Sequence, residues 1–285
     1  MKPVRSRRRM STWLVLLPLA PVLLWAFFRW FERTNVYHPS RAWWATGAEL
    51  NRAWDDLWLR TADGVELSAW FFPASGTAEF RDVAVLISHG NGGNLSHRLP
   101  LYRLLLDLGV NVLAYDYRGY GRSAGRPTEA GTYADGETAL EWLKSKGFAE
   151  DRVVVHGESL GGGIAAELAL RRPGLRGLIL QSTFTSVPDL GCELFPFLPV
   201  RTLSTIAYDT RAKLPRIRVP VLFLHSRSDT LIRFAHAESN FAAANAPKTL
   251  REIEGDHNNQ PEVAPERFAA AVREFLRTPV PAPAR

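Results

Sequence analysis

One cysteine among 285 residues excludes an intramolecular disulfide framework and any CxxC metal site. Glycine and proline, 21 and 19 in number, stay at ordinary frequency, so collagen-like and low-complexity chains are excluded. The chain lacks the G-x-x-x-x-G-K-[ST] pattern of a phosphate-cradling loop. It also lacks acid where its base is densest. Lys2, Arg5, Arg7, Arg8 and Arg9 supply five charges of a formal net +6, and no carboxylate offsets them within the first ten residues. The remainder is close to neutral, which leaves no basic face for nucleic acid. Hydrophobic residues make up 46% and charged residues 22%, the balance of a chain that buries a large core without staples. The length suits one large α/β domain.

The basic cluster belongs with the apolar run next to it in the chain. Met10 to Phe28 reads MSTWLVLLPLAPVLLWAFF, without a charge. As a helix it would span about 28 Å, close to the hydrocarbon core of a bilayer. Pro18 and Pro21 are tolerated in a membrane helix, and Trp13, Trp25 and Trp30 suit the membrane–water boundary. A cleaved signal peptide shares the basic start, but Arg-Trp-Phe-Glu-Arg after the run suits a signal peptidase poorly. A core helix of a soluble domain rarely has so little polar face. The pattern therefore reads as a basic tail (1–9), a transmembrane anchor (10–28) and a linker (29–55). The positive-inside rule keeps the N-terminus cytoplasmic and puts the rest of the chain on the far, periplasmic or extracytoplasmic side.

From residue 56 to 277, short apolar runs alternate with longer helical patterns. Leu57–Thr61 and Glu66–Phe72 form a hairpin around Asp63-Gly64. VAVLIS (83–88), VNVLAY (110–115), RVVVH (152–156), Leu175–Leu180, Val219–His225 and Thr249–Ile253 read as strands. Leu95–Leu108, Gly131–Lys146, Leu160–Arg172, Ile232–Ala246 and Pro265–Leu276 read as helices. Such alternation predicts an α/β fold with a mostly parallel sheet flanked by helices. The rhythm breaks at 183–215, an apolar insertion that includes Phe184, Phe195 and Phe197. Its lone Cys192 reads as a small buried hydrophobe. The tail 278–285 reads as disordered or extended.

Gly157-Glu158-Ser159-Leu160-Gly161 comes directly after the strand RVVVH and opens a helix, the context in which G-x-S-x-G carries chemistry. A serine hydroxyl needs a base, and the base needs a carboxylate to fix its tautomer. Asp229 comes after the strand VPVLFLH, and His257 after TLREIE, both in loops at the carboxyl ends of strands. The other six histidines precede Ser159, end strands or lie on a helix. Asp229 could alternatively cap the next helix. The developing oxyanion needs two donors. Leu160 supplies one amide, and the loop His89-Gly90-Asn91-Gly92-Gly93-Asn94 supplies the other, assigned to Asn91 with Gly90 in reserve.

SHGNGGNLSHR, YDYRGYGRSAGRPTEAG, HGESLGGG, HSRSDTLI and GDHNN occur in the order found in the membrane-anchored α/β-hydrolase domain-containing subfamily, which the chain resembles over roughly residues 55–277. The resemblance implies an α/β-hydrolase fold with a short cap at 183–215. It also implies a triad of Ser159, Asp229 and His257, an oxyanion hole of Asn91 and Leu160, and a structural role for the block from Asp116 to Gly121. The expected activity is hydrolysis of ester-like bonds in a small or lipid-like acyl substrate, with no metal or organic cofactor. An acyltransferase on the same nucleophile and a non-catalytic binding protein are the rivals.

Overall fold

Residues 19–279 are described by the computed structural model. The chain divides into two units, Met1–Tyr37 and His38–Arg285. The strands are β1 (His38–Pro39), β2 (Asp55–Arg60), β3 (Glu66–Phe72), β4 (Ala84–Ser88), β5 (Gly92–Gly93), β6 (Asn111–Tyr115), β7 (Val153–Glu158), β8 (Gly177–Gln181), β9 (Val221–His225) and β10 (Lys248–Glu252). The helices are α1 (Ala20–Val36), α2 (Leu99–Leu108), α3 (Glu129–Ser145), α4 (Leu160–Arg171), α5 (Val187–Leu194), α6 (Val200–Leu203), α7 (Thr210–Lys213), α8 (Phe234–Ala243), α9 (Gln260–Val263) and α10 (Pro265–Leu276).

The expected membrane crossing over residues 10–28 lies in part outside the described residues. Its described part belongs to α1, which runs on to Val36 instead of ending at Phe28. Arg29 and Glu32 pair one turn apart at 3.0 Å, and Thr34 Oγ1 donates to Trp30 O, so the charged end stays helical. Among the described residues no helix is long and apolar enough to cross a membrane. No described residue of α1 is buried, and Val22, Leu23, Leu24, Trp25, Phe27 and Trp30 are exposed.

In the second unit β4, β6, β7, β8 and β9 are buried along their whole length. Val85 and Ile87 join a core with Leu101, Leu105, Phe268 and Val272 from α2 and α10. On the other face α4 lies along β7 and β8, with α3 beside it. An apolar run with no polar side is what this two-sided cover requires. The sheet order is β10-β9-β8-β7-β4-β6-β3-β2. Strands β4 and β6 to β10 run parallel, while β3 is antiparallel to both β2 and β6. After β4 the chain moves outward to β6, then returns past β4 to lay down β7 and build the other half. Strands β4 and β7 therefore flank the switch point, where the loops leaving their carboxyl ends diverge and open a crevice.

Two expectations need correction. The linker read over 29–55 is not a single irregular segment. It contains the end of α1, then β1 paired in parallel with β5, then a short 3-10 turn, Gly47–Leu50. Cys192 is half-buried, because α5 lies on the surface and buries none of its residues fully. The insertion at 183–215 is a small cap of three short helices, α5, α6 and α7.

Candidate active site

Ser159 stands between β7 and α4 with φ 53° and ψ −114°, a backbone conformation that a non-glycine residue holds only under constraint. The constraint comes from β8: Ser159 N donates to Gln181 O at 2.9 Å, and Thr183 Oγ1 donates to Ser159 O at 2.6 Å. The turn is tight enough that a Cβ on Gly161 would stand 2.0 Å from Ser88 O. Glycine is therefore required there for α4 to leave the sheet at this angle.

His257 Nε2 lies 3.1 Å from Ser159 Oγ, and its Nδ1 lies 2.8 Å from Asp229 Oδ2. All three residues are buried. The other oxygen of Asp229 accepts the N–H groups of Leu231 and Ile232 at 3.0 and 2.8 Å, so the carboxylate also anchors the loop leading to α8. Burial pushes the Asp229 carboxyl upward, but its hydrogen bonds and the nearby histidines outweigh that effect and hold it below the usual range. Asp256 Oδ1 accepts the N–H groups of both Thr230 and His257 at 2.8 Å, which fastens the loop after β9 to the loop after β10.

Leu160 and Asn91, the two positions expected to supply oxyanion donors, lie on either side of the switch point. Leu160 is buried in the first turn of α4. The peptide joining Gly90 to Asn91 is oriented through its carbonyl, which lies 2.7 Å from His89 Nδ1. A carbonyl only accepts, so Nδ1 carries the proton. A trans peptide points its N–H opposite its C=O, so the Asn91 amide faces away from the His89 ring. The next carbonyl, Asn91 O, accepts Tyr120 OH at 2.9 Å and His38 N–H at 3.1 Å. Tyr117 OH donates to His89 O at 2.6 Å.

Several residues around the site were not legible in the sequence. Arg98 Nε donates to Glu158 Oε2 at 2.6 Å, and its Nη2 donates to Gly92 O at 3.2 Å, joining the loop that carries Asn91 to the residue before Ser159. Burial alone would push the Glu158 carboxyl up, but Arg98 outweighs burial and holds it low. A cavity of about 20 Å³, room for one water, is lined by His97, Arg98, Glu158, Gln181, Asn258 and Glu262. Segment 38–44 is the other unforeseen element. Asn94 Nδ2 donates to Ser40 O and Ala42 O at 3.0 and 2.8 Å, and Trp44 N donates to Ser96 Oγ at 3.0 Å. No periodicity signals a strand of two residues. The block from Asp116 to Gly121, expected to be structural, supplies Tyr117 and Tyr120, whose hydroxyls hold the carbonyls of His89 and Asn91. Among the described residues no group of three or more His, Cys, Asp or Glu side chains is placed to hold a metal ion.

Residues 81–211 match the family described as serine aminopeptidase, S33. An uncharacterized protein of Mycobacterium tuberculosis is 36% identical over 247 residues, which cover 86% of this chain and 87% of that protein. The α/β-hydrolase domain-containing protein WAV2 of Arabidopsis thaliana is 35% identical over 76% of each chain. The chain is an α/β-hydrolase. Protein bem46 of Schizosaccharomyces pombe is 35% identical to this α/β-hydrolase over 71% of each chain. Among solved structures, the Pyrococcus furiosus esterase Pf2001 shares the fold with a TM-score of 0.70 at 24% identity, covering 84% of this hydrolase and 98% of that esterase.

Proposed function

We propose that this α/β-hydrolase is a membrane-tethered serine hydrolase of ester-like bonds, whether esters, thioesters or small amides. The observation that carries this reading is the unbroken hydrogen-bonded path from Ser159 Oγ through the His257 ring to Asp229. Ser159 Oγ attacks the acyl carbon, and its proton passes to His257 Nε2. Asp229 holds the Nδ1 proton and steadies the imidazolium. The Asn91 and Leu160 amides stabilise the developing negative charge as hydrogen-bond donors. Collapse of the tetrahedral intermediate breaks the bond to the leaving group, which takes the proton from His257. Water then repeats the sequence on the acyl-enzyme and releases the acid. No metal or cofactor enters this scheme.

The tether is the apolar N-terminal segment that ends in α1, with the basic tail on the cytoplasmic side and the hydrolase unit on the other. The apolar cap favours an apolar acyl or alkyl group. The test is labelling of the full chain with a fluorophosphonate. The wild type should label, and Ser159→Ala should not, with hydrolysis reduced by at least about three orders of magnitude. Retained turnover in that variant would refute the assignment.

A further inference from the structure

The chain enters the hydrolase unit at His38, and that entry point lies at the mouth of the site. Strand β1 pairs with β5, with His38 opposite Gly92 and Pro39 opposite Gly93, inside the loop that carries Asn91. Only Tyr37 separates this strap from the end of α1. The covalent link to the N-terminal segment thus joins the hydrolase unit beside the loop that carries Asn91.

The exposed apolar side chains of the unit gather at the same edge. Among the described residues from His38 onward, the large exposed hydrophobics are Trp44, Trp58, Leu194, Phe197, Leu231 and Val263. Trp58 lies on β2 beneath the Arg122 guanidinium. The other five sit on segments at the carboxyl edge of the sheet. Trp44, 79% exposed, packs against His97 with ring centroids 4.3 Å apart and the planes tilted by 50°. His97 shares the small cavity beside Glu158 with Glu262, the neighbour of Val263. Leu231 comes two residues after Asp229. The cap reaches the same loop through Glu193, which accepts from Arg233 Nε at 2.9 Å, and Leu194 is the next residue. Phe197 is 97% exposed.

A water-borne substrate gives no reason to expose five large apolar side chains on the segments at one edge of the sheet, whereas a bilayer does. Tethering holds this rim at a high effective concentration near the lipid, so a modest apolar contact suffices to orient it. We propose that the rim of the Ser159 mouth rests on the bilayer that holds the N-terminal segment, and that the acyl ester attacked is a lipid drawn directly from that bilayer. The substrate half of this inference rests on the serine-hydrolase reading above.

The test uses the full chain in phosphatidylcholine vesicles. With Cys192→Ser as background, an environment-sensitive dye is attached at Phe197→Cys. In a second variant it is attached at Asp151→Cys, an exposed position before β7 at the opposite edge of the sheet. Doxyl-labelled lipid should quench the dye at 197 several-fold more than at 151. Equal quenching, or none at 197, would overturn the bilayer contact. In parallel, Phe197→Glu/Val263→Glu should lower turnover of a long-chain ester embedded in the vesicles by about tenfold or more. Its hydrolysis of soluble p-nitrophenyl acetate should stay within about twofold of wild type. Unchanged turnover of both esters would overturn the substrate assignment. Absence of fluorophosphonate labelling in the wild-type chain would instead refute the hydrolase reading, while the quenching comparison still judges the contact.

Discussion

The two oxygens of Asp229 are divided between His257 and the amides of Leu231 and Ile232. The sequence posed capping and catalysis as alternatives for this residue, but one oxygen accepts the amides while the other faces the His257 ring, so the two roles are compatible. Asp229→Asn should keep an acceptor for the amides while losing the charge that steadies the imidazolium. We expect kcat to fall by about three to four orders of magnitude. KM and the thermal midpoint should change little, and steady-state kinetics with a melting curve checks this. Ser159 and Asp229 were legible because each comes after an apolar run at a strand's carboxyl end, and His257, which comes after the polar edge strand β10, was picked by chain order and loop position. Arg98 was not, because its partner Glu158 lies 60 positions away and no local pattern links them.

That ion pair matters at the scale of elements, where it connects the start of α2 and the loop that carries Asn91 to the end of β7. Its side chains are 15% and 6% exposed, so removing one partner leaves a desolvated charge behind. Arg98→Met should destabilise the fold by about 3–5 kcal/mol, and Glu158→Gln added to it should restore much of that loss. Urea unfolding of the single and double variants in detergent measures the coupling. A double variant no more stable than Arg98→Met would show that the pair contributes nothing as a pair. The long elements were legible in the sequence to within a few residues: α3 was expected over 131–146 and spans Glu129–Ser145. Strands β1 and β5 were not, because two residues carry no period and their pairing joins segments about 50 residues apart.

For the whole molecule, the sheet carries a pH dependence of its own. His156 lies in the middle of β7, fully buried, and burial pushes its ring down to about 4 from 6.5. Between those values the unfolded chain takes up a proton that the folded chain refuses. The stability is thus fully present above pH 6.5 and is lost as pH falls toward 4. The loss amounts to about 3 kcal/mol. Unfolding measured at pH 7, 6 and 5 should show this decline, and His156→Gln should flatten it. An unaltered slope in the variant would assign the acid sensitivity to other groups. That the sheet is mostly parallel was legible from strand–helix alternation, whereas the strand order, and hence the crevice between β4 and β7, was not, because long-range pairing leaves no local pattern. The antiparallel edge of β2 and β3 was legible only as a hairpin.

The pairing of β1 with β5 also decides where this protein can be cut. A version trimmed to the nominal hydrolase boundary at residue 56 would discard one of the two donors to Asn91 O, the His38 N–H, and both acceptors of the Asn94 amide. It would also strip Trp43 and Trp54 from the face of buried Trp70. Anyone seeking a soluble, active fragment should start no later than His38.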